Sequence, residues 1–323
     1  MMRRAVDRNG EDHALFANEG HLMSLTVDEA FSAYEAVRHR LPPASLNRNA
    51  IERVSTLADL ADKFDVFLLD AFGVLNVGEK AIPGTADRVA SLKSRGKRIL
   101  VVSNAASMQE CETLEKFRRL GFSFEKSEIV NSRATMADSL RQEKGLHWGV
   151  MATPNTRFGD LDNQSLTLLG DRQCDFDSVD GFMLVESGTW TIHRQSMLED
   201  SLLCNPRPVL VANPDIVAPR ENGFSAEPGH FAHRLADRTG ISPMFFGKPF
   251  RNIFERAFER LGPDISKSKV VMVGDSLHTD VLGAQSVGIA SALVAGFGVL
   301  EGWDAGEAAL RVGITPDFLV DRP

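Results

Sequence analysis

Four polar side chains in this sequence have the types and the placing needed for chemistry on a charged group. Each stands at the end of a short apolar run, and the four are Asp70, Ser103, Lys248 and Asp275. A carboxylate in such a place can attack phosphorus or hold a cation. A lysine neutralises a phosphate oxygen, and a serine hydroxyl binds one. The combination indicates phosphoryl transfer, in which catalysis is mostly positioning and charge neutralisation.

The two acids are also hard oxygen ligands of the kind that Mg²⁺ binds, usually with few carboxylates and several waters. Lys248 would neutralise phosphate and keep Asp70 ionised. Ser103, together with a helix N-terminus expected after Asn104, would bind another phosphate oxygen. The structural alternative is that the two acids cap helices or form an ion pair, and that Lys248 lies on the surface.

The stretches between these residues must form the elements that position them. Apolar runs and helical patterns alternate over residues 66–130 and again over residues 244–320. This alternation predicts right-handed βαβ units and a doubly wound α/β fold with a parallel sheet. Because parallel strands open their carboxyl ends on one edge, the four polar residues should converge there. A helix is predicted over residues 53–63, before the first of these strands.

The length of the chain, 323 residues, is large for a single hydrophobic core and predicts more than one domain. The predicted units are an N-terminal extension (1–60), a core (61–133 and 244–323) and an inserted α/β cap domain (134–243). Strands in the inserted unit are expected around Trp148, around residues 181–185 and around residues 208–212. Trp148 and Trp190 are expected to lie in its core.

The N-terminal extension begins with a polar stretch, residues 1–22, that is predicted to be a mobile arm. Thr26 and Glu29 then have the spacing of a capping box, which predicts a helix from there to about Arg40. The sequence does not decide whether this helix packs on the sheet or makes a contact in an oligomer. A homo-oligomer is therefore one option.

The composition narrows the class of protein. A net charge of −8 argues against partners such as nucleic acid or an anionic membrane. The three cysteines are widely spaced and form neither a disulfide framework nor a metal cluster, which fits a reducing compartment. No apolar run approaches the length of a membrane span, and the first residues do not have the pattern of a signal peptide. We expect a cytoplasmic protein.

Four motifs, in order, resemble those of the haloacid dehalogenase superfamily of phosphohydrolases. They are Asp70-Ala71-Phe72-Gly73-Val74, Val102-Ser103-Asn104, Gly247-Lys248-Pro249 and Gly274-Asp275-Ser276-Leu277-His278-Thr279-Asp280. The resemblance extends over about residues 62–323. Only the interval between the second and third motifs has room for a cap of about a hundred residues. This arrangement is similar to subclass IIA, to which Ile82-Pro83-Gly84 and Asn213-Pro214-Asp215 also bear a likeness.

The resemblance implies a Mg²⁺-dependent phosphohydrolase that acts on a small phosphorylated metabolite. Asp70 would attack phosphorus and form an aspartyl-phosphate, which water then cleaves. The metal ligands would be Asp70, the backbone carbonyl of Phe72, and Asp275. Ser103, with the adjacent Asn104, would bind the phosphate.

Four further residues receive roles from the same resemblance. Lys248 would hold the phosphate, and Asp280 would support Lys248 or the metal shell from behind. Asn213 and Asp215 would contribute to substrate binding, with a plain Asn-Pro-Asp turn as the alternative. His278, in the fourth motif, is expected on a helix surface and not as a ligand.

One position departs from the family pattern. Phosphatases of this superfamily usually carry a second aspartate two residues after the nucleophile, where it acts as the general acid. Here that position is Phe72, whose side chain has no acidic group and cannot donate a proton. The alternative function is therefore a weakly active or noncatalytic phosphometabolite-binding protein on the same fold. A third option, metal-independent carbon–halogen hydrolysis, also tolerates an aromatic residue at this position.

Overall fold

A computed structural model describes residues 26–45, 50–141, 145–220 and 223–323 of the chain. The arm predicted over residues 1–22 lies outside these ranges. None of the helices within them combines the length and the apolar character needed to cross a lipid bilayer.

The larger sheet has seven parallel strands. In spatial order they are β1 (Glu52–Thr56), β16 (Phe318–Arg322), β15 (Ala290–Val294), β14 (Val270–Gly274), β2 (Val66–Leu69), β5 (Arg98–Ser103) and β6 (Ile129–Asn131). The central strands β2 and β14 are buried along their whole length and are direct neighbours. Asp70 and Asp275, which follow them, are therefore brought side by side, as the sequence predicts.

Helices cover both faces of this sheet. They are α2 (Thr85–Ser94), α3 (Glu110–Arg119), α4 (Ser132–Ser139), α8 (Arg251–Leu261), α9 (Leu282–Val287) and α10 (Ala305–Val312). Alternate side chains of β2 serve opposite faces: Phe67 belongs to one apolar cluster with Phe117 of α3, and Leu68 to another with Phe254 of α8. Because β2 is buried on both faces, its sequence is a continuous apolar run. Helices on both faces of the sheet confirm the doubly wound α/β fold.

A second, five-stranded parallel sheet is built from residues 147–245. Its spatial order is β13 (Met244–Phe245), β10 (Val209–Val211), β9 (Gly181–Leu184), β7 (His147–Met151) and β8 (Ser165–Leu168). Its helices are α5 (Gln173–Asp177), α6 (Ile192–Cys204) and α7 (Pro228–Thr239). Trp148 and Trp190 are buried in its apolar clusters, as predicted.

Two short antiparallel hairpins complete the strands of the described ranges. One hairpin pairs β3 (Asn76–Val77) with β4 (Lys80–Ala81), directly after the Asp70 loop. The other pairs β11 (Val217–Arg220) with β12 (Gly223–Ala226), directly after the Asn-Pro-Asp turn. Both therefore extend from loops that carry predicted site residues.

Two predictions about strands and helices are wrong. Residues 53–63 are not a helix: β1 pairs with β16, and a single 3₁₀ turn, Leu57–Leu60, follows it. The two strands are more than 260 positions apart in the sequence, so no local pattern could reveal their pairing. Met244–Phe245, predicted in the core sheet, pairs instead with β10 of the second sheet. The domain boundaries that we drew remain a prediction.

The helix predicted from the capping box is confirmed as α1 (Val27–Ala36), followed by a 3₁₀ turn at Arg38–Arg40. The Thr26 N–H donates to Glu29 Oε2 at 2.7 Å, and the Glu29 N–H donates to Thr26 Oγ1 at 3.3 Å. The buried face of α1 joins an apolar cluster that also contains Leu277 and Leu293. The helix therefore packs on the core beside the fourth motif, a point that the sequence leaves open.

A buried histidine in α7 makes stability sensitive to acid. His233 stacks on Phe245 with a centroid distance of 4.8 Å, and neither ring nitrogen has a hydrogen-bond partner among the described residues. Burial, with nearby Arg40, lowers the pKa of His233 to about 4. Between this value and the ordinary 6.5, the unfolded chain binds a proton that the folded protein does not, so stability must fall as the pH falls.

We expect His233→Phe, which keeps the stacking, to remove this loss. Between pH 7 and about 4.5, the wild type should lose about 2 to 3 kcal/mol more unfolding free energy than the variant. Urea denaturation at both pH values measures the difference. The exposed His193 is the control, because His193→Phe should keep the pH dependence of the wild type. Equal losses in the wild type and in His233→Phe would contradict the assignment.

Candidate active site

A buried lysine lies between two carboxylates at the carboxyl edge of the larger sheet. Lys248 Nζ is 2.7 Å from Asp70 Oδ1 and 2.7 Å from Asp280 Oδ1. Burial alone would lower the pKa of Lys248, but the Asp280 and Asp70 carboxylates outweigh it and raise the pKa above its ordinary value. The ammonium group therefore stays charged and fixes both acids in place. Asp280 lies behind Lys248, in one of the two positions that the sequence analysis expects.

The element that positions Lys248 at this edge differs from the one that the sequence predicted. It follows β13 of the second sheet, so it does not belong to the strand ends of the larger sheet. Asn104 makes the connection: its Oδ1 accepts from the Lys248 N–H at 2.7 Å, and its Nδ2 donates to the Lys248 carbonyl at 2.8 Å. The end of β5 thereby holds the backbone of the lysine against the site.

The Asn104 side chain is fully engaged in holding its neighbours. Besides the Lys248 carbonyl, its Nδ2 donates to Asp215 Oδ1 at 2.8 Å, which occupies the second amide hydrogen. The sequence analysis predicts that this side chain binds phosphate, but both of its N–H donors are already used. The helix expected after it, from about Ser107, begins at Glu110. Ser103, by contrast, is buried and lines the same cavity as Asp70, with its hydroxyl accepting from the Ala105 N–H at 3.2 Å.

The second acid of the sheet edge, Asp275, is enclosed by backbone. Its Oδ2 accepts from the Val299 N–H at 3.0 Å. A Cβ on Gly73 would come within 2.4 Å of this oxygen, and one on Gly298 within 1.9 Å, so both positions require glycine. Both glycines also have positive φ angles, 71° and 81°. Gly73 of the first motif is therefore required because its backbone lies against Asp275 of the fourth motif.

Asp70, Asp275 and Asp280 place ligand oxygens within 4.8 Å of one another. Burial raises the pKa of Asp70 to about 6, although Lys248 opposes the shift, and burial with both neighbouring acids raises the pKa of Asp275 well above its ordinary value. Three carboxylates around one ammonium leave an excess of negative charge. A divalent cation with a preference for oxygen would neutralise this excess, so the donor set fits Mg²⁺.

The Asn-Pro-Asp turn brings another acid to the site. The Asp215 N–H donates to Asn213 Oδ1 at 3.0 Å, and Asn213 Nδ2 donates to Glu227 Oε2 at 3.2 Å. Asn213 thus acts within the turn, which is the structural alternative that the sequence allows, while it also lines the cavity. Burial raises the pKa of Asp215 to about 7 despite the hydrogen bond from Asn104.

These groups open into one cavity of about 280 Å³. Asp70, Ser103, Lys248 and Asp275 all line it, so the predicted convergence of the four residues is found. Phe72, in the position of the usual general acid, lies half-buried in its wall. The cavity also includes residues of the inserted unit and of α1, and it is therefore formed where three parts of the chain meet.

Sequence reasoning missed the α1 side of the cavity and misjudged His278. This histidine is buried and not on a helix surface: its ring stacks on Tyr34 at 4.8 Å, and its Nε2 is 2.7 Å from Glu35 Oε1. Burial lowers the pKa of His278, and Glu35 opposes that shift. The capping box reveals that α1 exists, but no local signal shows that it covers the fourth motif.

Comparisons with known proteins agree with this geometry. A family model for haloacid dehalogenase-like hydrolases matches residues 67–159, and a second, HAD-hydrolase-like model matches residues 245–322. An acid sugar phosphatase of Staphylococcus aureus (strain MRSA252) is 26% identical over 70% of this chain and 85% of its own length. A 4-nitrophenylphosphatase of Schizosaccharomyces pombe is 26% identical over 81% of this chain and 93% of its own.

A solved structure shows the same fold. The crystal structure of a possible sugar phosphatase of the HAD superfamily from Cytophaga hutchinsonii has a TM-score of 0.73 to this chain at 24% identity. The match covers 84% of this chain and 98% of that one. The two matched segments together make up just over half of the chain, and the first of them extends into the inserted unit as far as residue 159. This chain therefore belongs to the haloacid dehalogenase-like hydrolase superfamily.

Proposed function

We propose that the protein is a Mg²⁺-dependent phosphohydrolase that acts on a small phosphorylated metabolite through an aspartyl-phosphate. The observation that carries the proposal is the arrangement around Lys248, whose Nζ lies 2.7 Å from both Asp70 and Asp280. This arrangement places a carboxylate and an ammonium together in a cavity, with Ser103 on the wall. The phosphatase names of the two curated relatives support the same class of reaction.

Each residue has a distinct task in this proposal. Asp70 attacks phosphorus, and the bond to the leaving-group oxygen breaks. Ser103 and Lys248 hold the phosphate oxygens, and the charge on Lys248 keeps Asp70 ionised. Asp280 orients Lys248, and Asn104 fixes the backbone of that lysine. Water then cleaves the aspartyl-phosphate and regenerates Asp70.

The metal would be held by Asp70, the backbone carbonyl of Phe72, and Asp275. When bound, Mg²⁺ neutralises phosphate charge and orients the transferring group. The Asp275 carboxylate has no ammonium partner among the described residues and accepts only from the Val299 backbone in the structure. That environment supports a cation beside Asp275 more directly than beside Asp280, which is already paired with Lys248.

We expect Asp275→Ala to bind Mg²⁺ at least about tenfold more weakly than the wild type, because it removes one of only two carboxylate ligands. Isothermal titration calorimetry measures both affinities without any need for turnover. Asp62→Ala is the control, since this acid is exposed and remote from the cavity. Equal Mg²⁺ affinity in the wild type and in Asp275→Ala would refute the role of Asp275.

The second candidate function is phosphometabolite binding without efficient turnover. The observation that favours it is Phe72, which places an aromatic ring where a general acid is usual. Phosphate release from a panel of phosphate esters with Mg²⁺ separates the two functions. Saturable binding of several esters with no release of phosphate would support the binding protein and exclude the enzyme.

We propose further that residues 134–243 act as a cap that excludes water until the intermediate forms. Support comes from the cavity, whose lining includes Asn213, Asp215 and other residues of the inserted unit. We also propose a cytoplasmic location. The three cysteines, all exposed and free as thiols, are in keeping with a reducing compartment.

A further inference from the structure

Helix α1 lies outside both segments that the family models match, yet it reaches the cavity. The matched segments begin at residue 67, and α1 spans Val27–Ala36. Ala30, Phe31 and Tyr34, spaced along one face of the helix, are buried, and all three line the cavity. An element of this chain beyond the family's matched core therefore supplies part of the site.

Tyr34 contacts both the fourth motif and the inserted unit. Its ring stacks on His278 of the fourth motif at 4.8 Å and 11°, and Phe31 meets the same imidazole edge-on at 5.5 Å. Its hydroxyl oxygen accepts from the Ile216 N–H at 3.2 Å, directly after the Asn-Pro-Asp turn. One side chain thus contacts both the core and the inserted unit.

Further contacts fix α1 in this place. Glu35 Oε1 lies 2.7 Å from His278 Nε2, and Arg311 of α10 pairs with Asp28 at the start of the helix. Burial raises the pKa of Tyr34 well above its ordinary value, so the phenol remains neutral at working pH. The wall that α1 presents to the cavity is therefore uncharged, aromatic and held from both ends.

We propose that α1 is the substrate-selecting wall of the site, with Phe31 and Tyr34 limiting the size of the leaving group. In the proposed function Lys248 and Ser103 hold the phosphate, and the leaving group then occupies the rest of the same cavity, whose lining includes Phe31 and Tyr34 of α1. Tyr34 additionally holds the Asn-Pro-Asp turn against the fourth motif. This inference rests on the proposed phosphatase function and names what selects its substrate.

The test compares two phosphate esters with similar leaving-group acidity and different size, phenyl phosphate and 4-biphenylyl phosphate. In Phe31→Ala and Tyr34→Ala, the ratio of kcat/KM for the large ester to that for the small one should rise at least about tenfold over the wild type. Tyr34→Phe keeps the ring and should keep the size selection. Ser32→Ala, on the exposed face of the same helix, is the matched control and should leave the ratio unchanged. An unchanged ratio in both folded alanine variants would overturn the proposal.

A second measurement needs neither a variant nor turnover. Tyr34 is the only tyrosine in the chain, so full-length protein labelled with 3-fluorotyrosine gives a single ¹⁹F resonance. Phenylphosphonate added with Mg²⁺ should shift this resonance with the same saturation curve that calorimetry gives for its binding. Saturable binding with no shift would place the phenyl group away from α1 and overturn the proposal. If the wild type releases phosphate from neither ester, the phosphatase function fails, and this measurement still decides the role of α1.

Discussion

Replacing Asp70 with asparagine should lower kcat by a factor on the order of 10⁴ or more while leaving the protein folded. The neutral amide keeps the shape of the side chain but removes the nucleophilic oxygen and one of the two partners of Lys248. Stability should not fall, because burial raises the pKa of Asp70 to about 6 and so penalises the charge that asparagine removes. The measurement is phosphate release with Mg²⁺, together with a thermal unfolding curve.

The same strand supplies the matched control. Asp65 immediately precedes β2, at the end opposite Asp70, and its exposed carboxylate pairs with Lys97 at 3.0 Å. Asp65→Asn changes the same chemical group beside the same strand and should retain the turnover of the wild type. Retention of most activity in Asp70→Asn would end the aspartyl-phosphate account.

The second large effect concerns the leaving group. Without a general acid at Phe72, the leaving group must depart largely unprotonated, which favours aryl phosphates, acyl phosphates and anhydrides over alkyl monoesters. The discrimination should approach the ~10² to 10⁴ that acid catalysis supplies, or about 2.7 to 5.4 kcal/mol. Values of kcat/KM across leaving groups of graded pKa measure it. Sugar phosphates are alkyl esters, so this chain should differ here from the sugar phosphatases that it is similar to.

Phe72→Asp should then raise the turnover of alkyl esters selectively, provided that the metal ligands stay in place. Phe72→Leu is the control for loss of the ring, and it should leave the preference for acidic leaving groups unchanged. A flat dependence on leaving-group pKa in the wild type would contradict the account. The acid to test next would be Asp215, which lines the same cavity and whose pKa burial raises to about 7.

The sequence was sufficient for the parts of the site that are set by local chemistry. Asp70 and Asp275 end fully buried strands, and such strands have a continuous apolar pattern that ends at the acid. Adjacent parallel strands then bring the acids together without any further information. The spacing of the motifs also predicted an inserted α/β unit, because only one interval had room for it, and its boundaries stay a prediction.

The rest depends on contacts between distant parts of the chain. Lys248 is held by Asn104, which is 144 positions away, and that pairing cannot be read from either segment. The β1 strand is defined by its pairing with β16, and its own exposed and half-buried residues carry little apolar pattern. His278 looked exposed because α1, which buries it, lies more than two hundred positions earlier.

The central claim is that phosphate becomes attached to Asp70 during turnover. Wild-type protein with Mg²⁺ and acetyl phosphate can be quenched in acid and treated with borohydride, which reduces an acyl phosphate to an alcohol. Peptide mass spectrometry should then find homoserine at position 70, and only in protein that was given acetyl phosphate. Rapid phosphate release with unmodified Asp70, or reduction at Asp275 in its place, would contradict the account.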